Sequence, residues 1–387
     1  MYAYGMKTKT DALAKRALAL HKKLQGKIRV ESATVINKRE HLSLLYTPGV
    51  GAVSSFVAKN PKESRNYTIK GRMVAVVSDG SAVLGLGNIG PLGALPVMEG
   101  KAAIFKEFAN VDAFPIVLAT QDTEEIIKTI THIAPGFAGI NLEDFSAPRC
   151  FEIEERLKKD LDIPVMHDDQ HGTAIVVLAG LINAAKVVKK KFASLHVVIS
   201  GAGAAGTAIA KILLQAGIVD IIVLDTKGVI SSDREDLVPH KRELAELTNL
   251  RNVTGGIREA LTGADVVIGV SGPNILNASH IKLMAPNAIV FALANPVPEI
   301  LPPEAYKGGA VVVATGRSDF PNQINNALVF PGIFRGALDR KVTAITDKMK
   351  LQAAKNLAAL VPKPTAQQII PDIFDKRVVK AVASAVK

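Results

Sequence analysis

The stretch that most restricts how this chain can fold runs from Leu195 to Asp225. The apolar run LHVVIS meets GAGAAG directly, and the helical segment TAIAKILLQAG leads on to a second apolar run, DIIVLD. A strand that turns sharply into a helix and returns as a second strand is a βαβ unit, and glycines spaced GxGxxG at that turn have separate tasks. Gly201 permits the tight turn, Gly203 lets the backbone approach a pyrophosphate, and Gly206 lets the helix pack closely. Ala202, Ala204 and Ala205 lie where the helix N-terminus offers amide donors and a positive dipole. Asp225 closes the second apolar run at the distance where a carboxylate meets the adenosine ribose hydroxyls, which favours NAD. Lys227, two positions on, could neutralise a 2′-phosphate, so NADP stays open beside the favoured NAD.

The same rhythm extends in both directions. DVVIGVS, AIVFALA and AVVVATG follow as further strands up to about residue 315, and MVAVVSD, FPIVLAT, GFAGINLED and IPVMHDDQ precede it with helical stretches between. Nearly continuous apolar strands indicate parallel sheets covered on both faces. The expected fold is therefore α/β: a Rossmann-type doubly wound parallel sheet domain plus a second α/β substrate domain completed by C-terminal helices. A chain of 387 residues suits two domains. The expected limits are 1–165 for the substrate and metal side, 166–319 for the dinucleotide domain, and 320–387 for a helical segment returning to the first. Near the N-terminus, Leu13, Ala17, Leu20 and Leu24 recur at helical spacing and predict an amphipathic helix over 11–24 packed on one side.

Composition narrows the function classes. The net charge of +11 draws anions of every kind, yet only 5% of residues are aromatic and Trp is absent, so a stacking surface for nucleic acid is not expected. A non-catalytic protein holding nucleic acid on its basic surface is the distant alternative. The segment MYAYGMKTKT has no apolar core behind its charges, and no apolar run reaches membrane-spanning length, which reads as a cytoplasmic protein without a membrane partner. The one cysteine, Cys150, suits a reducing compartment and a buried apolar role.

Two acidic doublets stand at strand ends: Glu143 and Asp144 in NLEDF, Asp168 and Asp169 in HDDQHGT. Clustered acids are unfavourable unless protons are kept or a cation intervenes, and hard carboxylate oxygens suit Mg²⁺ or Mn²⁺. Three carboxylates would leave positions for a chelating hydroxy acid. His167 and His171 form an HxxxH pair, but Pro164 and VMHDD predict a strand running into a loop, so the pair reads as structural and not as a zinc site.

With these motifs in place, the chain resembles the malic enzyme family, in its short bacterial and archaeal type. The likeness rests on YTPGV at 46–50, SDGSAVLGLGNIGPLGALPVMEGK at 78–101, NLEDF at 141–145, HDDQHGTA at 167–174, GAGAAG at 201–206, ANP at 294–296 and INNALVFPGIFRGAL at 324–338. The resemblance implies metal-dependent oxidative decarboxylation of L-malate to pyruvate and CO2 with reduction of NAD or NADP. It implies Glu143, Asp144 and Asp169 as metal ligands, Lys101 as the base, Asp168 as its partner, and Tyr46 as the acid that protonates the enol. Asn295 and Asn325 match positions that contact malate. The base role calls for a Lys101 pKa lowered by burial or a nearby cation. Malolactic and oxaloacetate-decarboxylating enzymes are the alternatives on the same scaffold. Ala82 stands where larger relatives carry a carboxylate-binding arginine, so carboxylate recognition must differ. Because the sequence stops at 387, control through a phosphotransacetylase-like extension is not expected. Relatives are commonly dimers or tetramers, so at least a homodimer is expected.

Overall fold

In a computed structural model the backbone of residues 2–387 and the side chains of residues 12–387 are described. Ten strands form two sheets: β1 (Met73–Ser78), β2 (Asp112–Val117), β3 (Gly139–Leu142) and β4 (Val165–His167) in one, and β5 (Val197–Ser200), β6 (Ile221–Asp225), β7 (Gly228–Val229), β8 (Val266–Gly269), β9 (Ala288–Ala292) and β10 (Ala310–Thr315) in the other. The orders are β2-β1-β3-β4 and β10-β9-β8-β5-β6-β7. Every pairing is parallel except the short β6–β7 ribbon. This ribbon was not foreseen, because two residues are too few to show a period.

Continuous apolar runs became strands covered on both faces. Val74, Ala75, Val76 and Val77 are all fully buried, as are Ile289, Val290, Phe291 and Ala292. Helix Gly90–Ala109 crosses from β1 to β2, and its Phe105 meets Phe330 and Phe334 of helix Phe330–Arg340 at 4.7 and 5.5 Å between ring centroids. That contact ties the C-terminal helices to the first sheet. Strand β4 straddles the boundary expected after residue 165, since the short first sheet needs Val165–His167 as its edge.

Two expectations are corrected. The first helix spans Tyr2–Leu24, but Leu13, Leu20 and Leu24 are about half or more exposed, at 63%, 53% and 49%, so among the described residues its apolar stripe is not buried within this chain. The expected loop after VMH is absent. Helix Asp168–Val187 starts directly from β4, with two carboxylates in its first turn facing the positive end of the helix dipole. Cys150 is buried. Among the described residues no helix is long and apolar enough to cross a membrane.

Candidate active site

Strands β3 and β4 run parallel with Leu142 beside His167, so the residues that follow each emerge at the same level of the sheet's carboxyl edge. Glu143 and Asp144 leave β3, and Asp168 and Asp169 leave β4. Asp144 sits at φ +56°, a left-handed conformation that Asp tolerates better than most residues, and its N–H donates to Asp169 Oδ2 at 2.7 Å. This turn gathers the three acids: one oxygen from each of Glu143, Asp144 and Asp169 lies within 4.8 Å of the others.

Lys101 reaches this cluster from helix Gly90–Ala109. Its ammonium donates to Asp168 Oδ2 at 2.5 Å and to Glu143 Oε1, and it lies 4.5 Å over the ring of Phe330. Burial disfavours the ammonium, but Asp168, Glu143 and Asp169 outweigh it and raise the Lys101 pKa above its ordinary value. The expected direction is therefore reversed, because the charged groups beside the lysine are carboxylates. Burial, reinforced by Asp169, pushes Glu143 well above the carboxylate range and Asp144 up to about 7. Burial also raises Asp168. Asp169 goes the other way: burial is overcome by His167, whose Nε2 stands 3.2 Å from Asp169 Oδ2.

Four acids around one lysine leave negative charge in excess, and two buried oxygens, Asp144 Oδ2 and Asp168 Oδ1, have no hydrogen-bond partner. Hard oxygen donors with unused lone pairs suit a divalent cation such as Mg²⁺ or Mn²⁺. Glycine keeps room for Asp168, since a Cβ on Gly172 would stand 1.8 Å from its Oδ1. The two histidines hold structure: His171 Nε2 pairs with Glu154 Oε2 at 2.9 Å, His167 backs Asp169, and neither is one of the three grouped ligand residues.

The loop after Asp144 continues through Ala147 and Pro148 into the wall of a second cavity, of about 780 Å³, which the glycine turn also lines. Gly201 adopts φ +122° and Ala202 and Gly203 lie on the cavity wall. A Cβ on Gly206 would lie 1.8 Å from Gly201 O, while one on Gly203 would meet nothing within 4 Å, so the third glycine serves packing and the second leaves open space. Ala204 and Ala205 begin the helix that points its N-terminus at this space.

Asp225 lines the same cavity, and its carboxylate is already paired with Arg234 at 2.8 Å and Lys241 at 2.6 Å. Against burial, these partners hold its pKa down at about 2. Lys227 keeps its ammonium on Asp236, 2.8 Å away, and is exposed; the cation that lines the cavity is Lys241. Sequence reading missed Lys241 and Arg234 because no local spacing links them to Asp225. Asn325 shares a cavity of about 390 Å³ with Lys101 and Phe330, and its side chain accepts from the Ala327 N–H at 2.9 Å. Asn295 lies on a separate loop, packed on Gly85 and Gly316. Ala82 donates its N–H to Asp144 O at 2.9 Å. The nearby SDGS and NLEDF loops are joined by Arg149, which pairs with buried Asp79 at 2.9 Å and with Ser146 Oγ at 3.2 Å.

Tyr46 stands apart from the other site residues. It is 66% exposed and lines neither the Lys101 cavity nor the dinucleotide cavity.

The family models for "Malic enzyme, N-terminal domain" and "Malic enzyme, NAD binding domain" match residues 25–158 and 170–387. The chain belongs to the malic enzyme family. It is 55% identical over 373 residues to the NAD-dependent malic enzyme of Geobacillus stearothermophilus, covering 96% of this chain and 77% of that one. It is 52% identical over 378 residues to the bifunctional malic/malolactic enzyme of Bacillus subtilis, covering 97% and 92%. The crystal structure of the NAD-dependent malic enzyme from Thermotoga maritima superimposes with a TM-score of 0.93 at 49% identity, covering 96% of this chain and 98% of the other. The second of these family models agrees with the dinucleotide fold around Gly201, Gly203 and Gly206.

Proposed function

We propose that this chain is a metal-dependent malic enzyme that converts L-malate to pyruvate and CO2 with reduction of NAD or NADP. The observation that carries the reading is the convergence of Lys101, Asp168 and the three carboxylates Glu143, Asp144 and Asp169 at one sheet edge, joined by the 144–148 loop to the dinucleotide cavity.

Glu143, Asp144 and Asp169 would hold the cation. Bound together, a divalent ion supplies Lewis acidity toward substrate hydroxyl and carboxylate oxygens, and the nicotinamide supplies the hydride acceptor. With a cation held there, Glu143 and Asp169 would grip the Lys101 proton less tightly, and the amine would move toward the range of a base. Lys101 then accepts the substrate hydroxyl proton, and Asp168, in contact with it, steadies the ammonium that forms. Asn325, beside Lys101, and Asn295 offer neutral donors to a carboxylate, the work that Ala82 cannot do. Tyr46 donates the proton to the substrate carbon after CO2 departs.

Tyr46 comes from a second copy of the chain in this proposal. None of residues 12–73 is buried, and apolar Leu42, Leu44, Leu45 and Phe56, on the two helices that flank Tyr46 in sequence, are 50%, 65%, 46% and 41% exposed, apolar surface that a homodimer would cover. For the cofactor, Asp225 keeps NAD preferred, while Arg234 and Lys241 admit the 2′-phosphate of NADP.

The test is turnover of L-malate with Mn²⁺ and NAD, following reduced dinucleotide and pyruvate together. Lys101→Ala should lower kcat by about 10²- to 10⁴-fold, the usual worth of a positioned acid–base group. Unchanged turnover in that variant removes the lysine from its role. Lactate formed without free reduced dinucleotide would assign the malolactic reaction instead.

A further inference from the structure

Beneath the turn that carries Asp168 and Asp169 lies a buried carboxylate with no part in the chemistry above. Glu154, on helix Arg149–Asp160, is 5% exposed. Its Oε1 accepts from the backbone N–H of His167 at 2.8 Å and from Lys158 Nζ at 2.7 Å. Its Oε2 accepts from His171 Nε2 at 2.9 Å and from the Gln170 amide at 3.4 Å. That amide also meets His167 Nδ1 at 3.0 Å, and the far nitrogen of the same ring faces Asp169 Oδ2 at 3.2 Å. One side chain thus grips the residue before the acidic doublet, through its backbone, and the two residues after it.

The grip falls where it has most effect. β4 is only three residues long and helix Asp168–Val187 begins immediately after it, so the directions of Asp168 and Asp169 depend on the angle at His167. A lone backbone bond would leave that angle soft. A carboxylate that is ionised against its burial by His171, Lys158 and Lys350 makes stronger, shorter bonds than a neutral group.

We infer that Glu154 is a positioning residue for the cation site: it fixes the strand-to-helix turn at His167 and, through Gln170 and the His167 ring, the carboxylate of Asp169. This inference rests on reading Glu143, Asp144 and Asp169 as the cation site, and it assigns the support for that site to a residue outside every motif quoted above.

The deciding measurement is Mn²⁺ binding to the dinucleotide-free protein, followed by the electron paramagnetic resonance of the free ion. Glu154→Asp keeps the charge among its cationic neighbours but draws the carboxylate back by one methylene from the His167 N–H. Outer residues that orient metal ligands are worth about 10- to 100-fold in affinity, so the dissociation constant should rise by at least about tenfold. The KM for Mn²⁺ should rise with it while kcat at saturating Mn²⁺ stays near wild type, and binding of the reduced dinucleotide should not change. A purely structural role would move melting temperature and both affinities together.

Gln170→Met, which leaves Glu154 intact and removes only the amide between it and the His167 ring, is the second variant and should weaken Mn²⁺ in the same sense. Wild-type Mn²⁺ affinity in folded Glu154→Asp overturns the inference, as does wild-type affinity in Gln170→Met should the first variant not fold. Failure of the unmodified protein to bind Mn²⁺ at all would instead overturn the cation site itself.

Discussion

Asp225 is held by two cations that a ribose and a phosphate would use differently. A ribose diol must share the carboxylate with Arg234 and Lys241, whereas a 2′-phosphate would take the cations and face the carboxylate's repulsion. Lys241→Gln should therefore lower kcat/KM for NADP by about tenfold, since one charge-assisted hydrogen bond is worth about 1.5 kcal/mol, and leave NAD nearly unchanged. Equal losses for the two dinucleotides would show that Lys241 does not read the phosphate. The same cluster sets a pH dependence. The Asp225 pKa falls from 3.8 to about 2 on folding, so its ion pairs stabilise the protein fully above about pH 4 and lose that contribution as pH falls through 2. Acid unfolding of Asp225→Asn should differ from wild type at neutral pH and converge with it near pH 2; a gap that persists at pH 2 contradicts this.

At the level of elements, the glycine turn separates packing from binding. A Cβ at Gly206 would overlap Gly201 O, so Gly206→Ala must push the helix off β5, at a cost of about 1–3 kcal/mol. It should lower both the melting temperature and the affinity for reduced dinucleotide, read by fluorescence titration. Gly203→Ala meets nothing within 4 Å and should leave melting within about 0.5 kcal/mol while blocking the approach of a pyrophosphate. If both variants lose stability equally, the division of labour is mistaken.

Across the whole molecule, the exposed apolar segment before residue 73 calls for a partner, and a second copy supplies one. Light scattering should give about twice 41.0 kDa at micromolar concentration. Tyr46→Phe and Lys101→Ala proteins, each inactive alone, should recover activity when unfolded and refolded together, because a mixed dimer has one site with both residues intact. No recovery would place Tyr46 and Lys101 of one site on the same chain.

The sequence alone settled what depends on local order. Unbroken apolar runs specified parallel strands, the spacing of Gly201, Gly203 and Gly206 specified a dinucleotide turn, and paired acids at two strand ends announced a cluster. These features follow from steric and electrostatic demands confined to a few neighbouring residues. Tertiary structure alone decided which groups act on one another. It aimed Lys227 at Asp236 and brought Lys241 to Asp225, and it surrounded Lys101 with carboxylates that raise its pKa. It also placed Glu154 beneath the turn that carries Asp168 and Asp169 and left Tyr46 on an uncovered face. Interactions across space fall off with distance in three dimensions, and residues far apart along the chain meet only when strands and helices have packed.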